Sequence, residues 1–313
     1  MEWLSGDSPV PAHWRGAVVA LGNFDGFHLG HQAVVGRALA RARAEGLPAL
    51  VVTFDPHPAR LFRPDAPPFL LTSIAQRMAL FAAFGMDGAL ALPFTRALAA
   101  EPPEAFVAEW LDARIGAAAV VTGTDFTFGR DRAGTVAHLA TLAAARGIAA
   151  ETVAPLHAEG GIASSTRVRA ALREGDMALA TRLLGRPFTI AGTVQHGDKL
   201  GRQLGYPTAN LDLGAYVRPA YGVYAVRGRL ADGRVLGGAA NLGVRPQFDP
   251  PKELLEPHFF DFSGDLYGQP IAVELIARLR GEARFPTLDA LVRQIDADCV
   301  AAAQLLAGFA PAL

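Results

Sequence analysis

The sequence predicts two folded parts of different class: a doubly wound, mostly parallel α/β sheet, then a small antiparallel β-barrel with a terminal helix. Three observations carry this expectation. Across the first half, short apolar runs alternate with stretches of helical spacing, the pattern of a parallel sheet covered on both faces. From Phe188 onward the runs follow one another across Gly, Pro and Asp turns with no helices between them, as in a small barrel. The chain has 313 residues, 51% of them apolar, enough for two cores.

The first strand is expected at residues 17–21, an apolar run ending in a turn built from Gly22, Asn23, Asp25 and Gly26. Helical spacing begins near Gly30, with Val34, Val35 and Leu39 on one side. Strands at 50–54, 89–92, 118–123 and 148–153 continue the alternation, with helices at 71–84, 103–115 and 135–146. The first of these helices starts after Thr72 or Ser73, both good caps. Residues 170–184 read as a helix stopped by Gly185, Arg186 and Pro187, and the boundary between the parts is placed there, giving 1–186 and 187–313. Beyond it, residues 188–194, 221–230, 235–244, 258–262 and 271–279 read as strands, and Asp232-Gly233 marks a hairpin. A last helix runs from about Thr287 to Leu306, with Cys299 on its apolar stripe.

Composition narrows the function classes. Lys and Arg number 29 against 30 Asp and Glu, so nothing global suggests a nucleic-acid or membrane-surface binder. A single cysteine excludes an intramolecular disulfide and fits a reducing compartment. No 18-residue apolar span is free of charge or glycine punctuation, and the first residues lack the basic and apolar regions of a signal peptide. A soluble cytoplasmic protein is the expectation.

Several motifs point to phosphate chemistry. His28 and His31 are three apart at a helix start, where free N–H groups and the helix dipole favour anions, and Gly30 between them lets a ligand approach the backbone. The same spacing is half of a metal site, which Asp55 and His57 would complete; the other reading makes that second pair part of a loop stiffened by Pro56 and Pro58. Asp125 and Arg130 fall at a strand end. Phe126 and Phe128 beside them offer a face for a flat ring, or pack in the core. Ser164, Ser165, Thr166 and Arg167 combine hydroxyls, helix-start N–H groups and a guanidinium, the parts of a triphosphate cradle, or form a capped helix start with a surface Arg. In the second half Gly197, Gly201 and Gly205 make a pliant loop whose N–H groups can face phosphates, though it is not a Walker A loop. The oxygens of Thr208 and Asn210 suit a hard cation; alternatively they form a turn and a cap.

GNFDGFHLGHQ from residue 22, TFDPHP from 53, VTGTDFTFGRDRAG from 121, SSTR from 164, PTAN from 207 and LLEPHFFDFSGDLYG from 254 occur in one order along the chain. Together they resemble the prokaryotic bifunctional riboflavin kinase/FMN adenylyltransferases, also called FAD synthetases. The resemblance implies a Rossmann-like nucleotidyltransferase domain over 1–186 and a riboflavin kinase barrel over 187–313. It implies that riboflavin is phosphorylated by ATP to FMN, and FMN adenylylated by ATP to FAD. By the same resemblance His28 and His31 are catalytic in the first domain, and Asn23, Gly30, Ser164, Ser165, Thr166 and Arg167 bind ATP. Phe62, Phe106, Asp125 and Phe128 contact flavin. In the second domain Gly197, Gly201, Gly205, Thr208 and Asn210 bind ATP, Thr208 and Asn210 hold Mg²⁺, and Glu256 is the catalytic base with Glu253 as a nearby decoy. The implied partners are riboflavin, FMN and ATP, with no nucleic acid or membrane. Val244 and Gln247 stand where the family usually has threonines. Two rivals are an adenylyltransferase with a degenerate barrel and a flavin-binding module without turnover.

Overall fold

The computed structural model describes residues 1–6, 8–196, 201, 204–245 and 252–308. By its contacts the chain forms two compact units: Met1–Pro67 with Thr72–Ser165, and Pro68–Leu71 with Thr166–Leu313.

The first unit is a six-stranded parallel sheet. Its strands are β1 (Glu2–Ser5), β2 (Val18–Leu21), β3 (Ala49–Asp55), β4 (Gly88–Pro93), β5 (Ala119–Gly123) and β6 (Ala149–Val153), in the order β1-β4-β3-β2-β5-β6. Every neighbouring pair is parallel. The five expected strands are all present; β1 is an addition, a short edge strand with too little apolar pattern to announce itself. The apolar runs are continuous because both sheet faces are covered. Val19, Leu21, Leu50, Val52, Leu90 and Val120 pack on one side with Phe106, Trp110 and Leu139. Val18, Ala20, Val51, Ala89 and Val121 pack on the other with Val35, Ala38 and Phe81. These helical partners come from α1 (Leu29–Glu45), α3 (Ile74–Ala83), the helix starting with α5 (Pro103–Phe106) and α6 (Val136–Ala144). Two short helices, α2 (Pro58–Phe62) and α4 (Arg96–Ala100), escape periodicity because they span barely one turn. The helix expected at 103–115 continues past α5 as a π-helix over Val107–Arg114. A two-stranded hairpin, β7 (His157–Ala158) with β8 (Gly161–Ile162), precedes α7 (Ser165–Glu174). Strand order reverses at β2, between β3 and β5, and in such sheets ligands bind beyond the carboxyl ends at that switch point.

The single helix expected at 170–184 is two, α7 and α8 (Met177–Leu184), because Gly175 takes φ +82° and ends the first. The second unit continues with β9 (Phe188–Thr193), β10 (Leu211–Asp212), β11 (Gly222–Leu230), β12 (Val235–Arg245), β13 (Lys252–Phe259), β14 (Pro270–Arg280) and α9 (Leu288–Ala307). The sheet is antiparallel, ordered β10-β13-β12-β11-β14-β9. Gln195 and Asn210 bridge its two edges, with the Gln195 N–H donating to the Asn210 carbonyl at 2.8 Å, so the sheet closes on itself. The strand expected at 258–262 lies earlier, at Lys252–Phe259, since pairing to β12 decides which residues stay in the ladder. Against the barrel, α9 packs Ala302, Cys299 and Leu306 onto Ala225 and Ala239. Arg280 fixes that helix by a forked contact to buried Asp298, 2.7 Å at the shortest. Cys299 is a packing residue, and burial pushes its thiol up to about 11.

Candidate active sites

In the first unit the turn after β2 is held from below before it presents anything to solvent. His28 is the N-cap of α1, and its Nδ1 accepts the backbone N–H of His31 at 3.3 Å. A neutral ring that accepts at Nδ1 carries its hydrogen on Nε2. The two imidazoles stack, centroids 3.6 Å apart, and His31 also meets the Phe24 edge. A Cβ at Gly30 would stand 2.8 Å from the Ala163 carbonyl and 3.1 Å from the His28 ring, so the protein itself packs closely against this glycine. Gly30→Ala is therefore expected to displace residues 163–165 and to destabilise the first unit by about 1–3 kcal/mol, the scale of overpacking. Thermal unfolding measures it, and an unchanged midpoint would mean that the loop moves freely.

Buried Asp25 supports the same turn: one carboxylate oxygen accepts from the Thr72 N–H at 3.0 Å and from its hydroxyl at 3.1 Å. The Ser165 hydroxyl donates to the Asp25 carbonyl at 2.9 Å. Ser165, Thr166 and Arg167 occupy the first turn of α7 as expected, with Ser164 just ahead of it. Asn23 is exposed at the tip of the turn, while its carbonyl accepts from Thr53 and Arg77. Asp125 is exposed at the carboxyl end of β5, beside the switch point. Phe106 and Phe128 lie in the core, centroids 5.6 Å apart, and Phe126 stacks on Phe128. Phe62, at the end of α2, is 66% exposed and meets the Phe94 ring. Among the described residues no three His, Cys, Asp or Glu side chains are grouped to hold a metal; His57 instead caps α2, its Nδ1 accepting from Ala59 at 3.1 Å.

In the second unit strand register assembles the candidate residues. Glu256 on β13 stands opposite Asn241 on β12. On its other side Leu211 pairs with Leu255, and the Ala209 N–H donates to the Pro257 carbonyl at 2.9 Å, which brings Asn210 beside Glu256. Opposed residues in a ladder share a face, so one carboxylate is flanked by two carboxamides. Glu253, three positions earlier, faces the other way. There it accepts from Arg218 at 2.8 Å and from the Tyr221 hydroxyl. Burial raises its carboxyl, but those two hydrogen bonds outweigh burial and hold it below the usual range. Tyr221, partly buried and bonded to that carboxylate, is pushed up to about 12. The Gly201 carbonyl accepts from Leu204 and Tyr206, and Gly205 is exposed at φ +88°. Gly197 and Gln247 lie outside the described residues. Val244, on β12, is partly exposed. His258 holds the Pro207 carbonyl at 2.9 Å through Nδ1, which therefore carries the hydrogen, since a carbonyl only accepts. Thr208 lines a small, half-open cleft together with Val194, Phe262, Leu266 and Tyr267.

Two family models match this chain: FAD synthetase over residues 10–167 and riboflavin kinase over 184–306. The bifunctional riboflavin kinase/FMN adenylyltransferase of Pseudomonas fluorescens is 43% identical over 298 residues, covering 95% of this chain and 94% of that protein. The chain belongs to the bifunctional riboflavin kinase/FMN adenylyltransferase family. The enzyme of that name from Escherichia coli K12 is 39% identical and that from Bacillus subtilis 36%, covering 91% and 90% of this chain and the same shares of each relative. A crystal structure from Streptococcus pneumoniae, described as a macrolide-efflux protein, superposes with a TM-score of 0.84 at 32% identity over 97% of both chains. Among the described residues of this chain no helix is long and apolar enough to cross a membrane.

Sequence reading of this family member missed Thr53, Thr72 and Arg77, the residues that fasten the first turn. One signal was available. Ser73 followed by Gln76 is a capping box, and the structure contains it. With Ser73 assigned as the cap, Thr72 is released for another partner, and Asp25 takes it.

Proposed function

We propose that the chain makes FAD from riboflavin in two ATP-dependent steps at separate sites. The carrying observation is that two family models match separate stretches of the chain, FAD synthetase over residues 10–167 and riboflavin kinase over 184–306.

In the first unit the phosphate of FMN attacks the α-phosphorus of ATP, and pyrophosphate leaves. No protein nucleophile is required; the work is positioning and stabilisation of charge. His28 and His31 at the start of α1 face the developing charge. Gly30 and the exposed Asn23 shape the turn for ATP. Ser164 and Ser165, at the end of the first unit, hold the triphosphate, and the resemblance of the SSTR string assigns Thr166 and Arg167, which belong to the second unit, to the same role. Phe62 and Asp125 are the exposed flavin contacts, with Phe106 and Phe128, which lie in the core, assigned to the same role by the resemblance.

In the second unit Glu256 takes the proton of the ribityl 5′-hydroxyl as that oxygen attacks the γ-phosphorus of ATP and ADP leaves. The Thr208 hydroxyl and the buried Asn210 amide offer hard oxygen donors beside Glu256, a donor set that fits Mg²⁺. Bound there, Mg²⁺ neutralises phosphate charge. Gly201 and Gly205 bend the loop that carries Thr208, with Gly197 read as part of it from sequence, and the cleft at Thr208 suits the nucleotide. The substrates are small molecules, and the place of work is the cytoplasm.

Incubating the protein with riboflavin and Mg-ATP and separating the flavins tests the whole reading. FAD is the expected product. FMN alone indicates a kinase without adenylyltransferase, and unchanged riboflavin indicates a binder. We place the functional boundary at 186/187, so residues 187–313 should fold and phosphorylate riboflavin. Contacts also join α8 to β9 and β14, which makes 166–313 the natural companion fragment. If only the longer fragment gives a folded circular dichroism spectrum and turns over, the boundary moves to the start of α7.

A further inference from the structure

Among the described residues Arg77 is the most deeply buried charge in the first unit, and none of the chemistry above uses it. It lies on α3 with 1% of its surface exposed. One guanidinium nitrogen, Nη1, donates to the Asn23 carbonyl at 2.9 Å, the Thr53 hydroxyl at 3.2 Å and the Phe54 carbonyl at 3.3 Å. The Thr53 hydroxyl donates to the same Asn23 carbonyl at 2.9 Å. The turn after β2 is thereby tied to the end of β3 through one nitrogen and one hydroxyl. Among the described residues Nε of Arg77 is buried with no hydrogen-bond partner. Burial acts to lower its pKa, with Asp25 and Asp55 opposing through space, and a guanidinium remains charged throughout.

A buried cation whose bonds go to neutral oxygens is a costly way to hold two loops together. An apolar side chain of similar volume often serves stability as well or better. The charge has a use if an anion arrives above it. We infer that Arg77 is a positioning residue for adenylyl transfer: it sets the Asn23 turn against β3 and leaves a positive charge beneath the place where the ATP phosphates bind. The inference rests on the reading that this turn binds ATP. Its two parts separate by substitution. Lysine keeps the charge and a single donor nitrogen but lacks the rigid, planar guanidinium that fixes where that nitrogen sits, whereas methionine keeps volume and loses both charge and donors.

The test uses the full chain. FMN-to-FAD conversion is followed at varied Mg-ATP, and riboflavin phosphorylation in the second unit serves as the control for an intact protein. R77M is expected to lower kcat/KM for ATP by about 100-fold, the scale of a displaced binding turn. R77K is expected to restore the KM for ATP to within about threefold of the parent while kcat stays reduced by about tenfold. Parental FAD formation by R77M overturns the inference. So does equal damage to both constants in R77M and R77K, which would make Arg77 a packing group only. If R77M does not fold, Thr53→Val decides: it removes the hydroxyl from the Asn23 carbonyl but keeps the charge, so kcat should fall with the KM for ATP unchanged, and a parental kcat overturns the inference. A parental chain that makes FMN but no FAD rejects the underlying reading of the turn, a result distinct from any of these.

Discussion

Glu256→Gln should stop FMN formation from riboflavin and leave FMN-to-FAD conversion at its parental rate. Glutamine keeps the shape of the side chain and its place between Asn210 and Asn241, but it cannot accept a proton at neutral pH. The expected loss in kinase kcat is about 10²-fold or more, the effect of removing a general base. Glu253→Gln is the control. That carboxylate is already occupied by Arg218 and Tyr221 on the opposite face of β13, so its loss should lower stability and spare the chemical step. Chromatographic separation of flavins after single incubations with riboflavin or FMN gives both rates. Unchanged kinase turnover in Glu256→Gln would remove the carboxylate from the mechanism, and a larger loss in Glu253→Gln would transfer the role to it.

His31→Ala and Arg167→Ala should each cut FAD formation from FMN without altering riboflavin phosphorylation. The His31 ring is held in place by stacking on His28 and by the Phe24 edge, so alanine removes a group that is already oriented, and about 10- to 100-fold in kcat is expected. Arg167 sits in the first turn of α7, where a guanidinium can grip a phosphate with two N–H groups. Arg167→Lys should therefore be impaired as well, by about 1–3 kcal/mol in binding of the triphosphate. FAD formation at the parental rate in either alanine variant returns that residue to a purely structural role. Equal impairment of the kinase in both would mean that one ATP site serves both reactions, against the two-site model.

Much of this protein was legible in its residues. Five parallel strands stand within a residue or so of where the sequence placed them: the inner strands read as apolar runs because both faces are covered, while edge strand β6 is only partly buried and carries Glu151 and Thr152. Asp232-Gly233 closes the β11–β12 hairpin, and Thr287 caps α9, because these are local preferences that no distant contact needs to endorse. The candidate catalytic residues were named for a different reason: H-x-G-H, P-T-A-N and the segment around Glu256 are contiguous stretches that resemble the family's motifs. Elements missed or shifted were those whose stability comes from a neighbour. Strand β1 exists only because Glu2 to Ser5 can pair with β4. The bounds of β13 are those of its ladder with β12, and the helix expected over 170–184 breaks where Gly175 adopts a positive φ.

The sequence by itself determined the two fold classes and the approximate order of elements, since periodicity, caps and turn residues act over a few positions, and its short strings carried the resemblance to the family. Only the tertiary structure decided which residues stand beside those strings. It placed Asn241 opposite Glu256, turned Glu253 to the other face, gave Thr72 to Asp25 and set Arg77 beneath Asn23. Each of those facts is a register or a contact across tens of residues, fixed by the closing of a sheet or the packing of a helix, and side-chain identity alone carries no record of which partner a fold will bring to it.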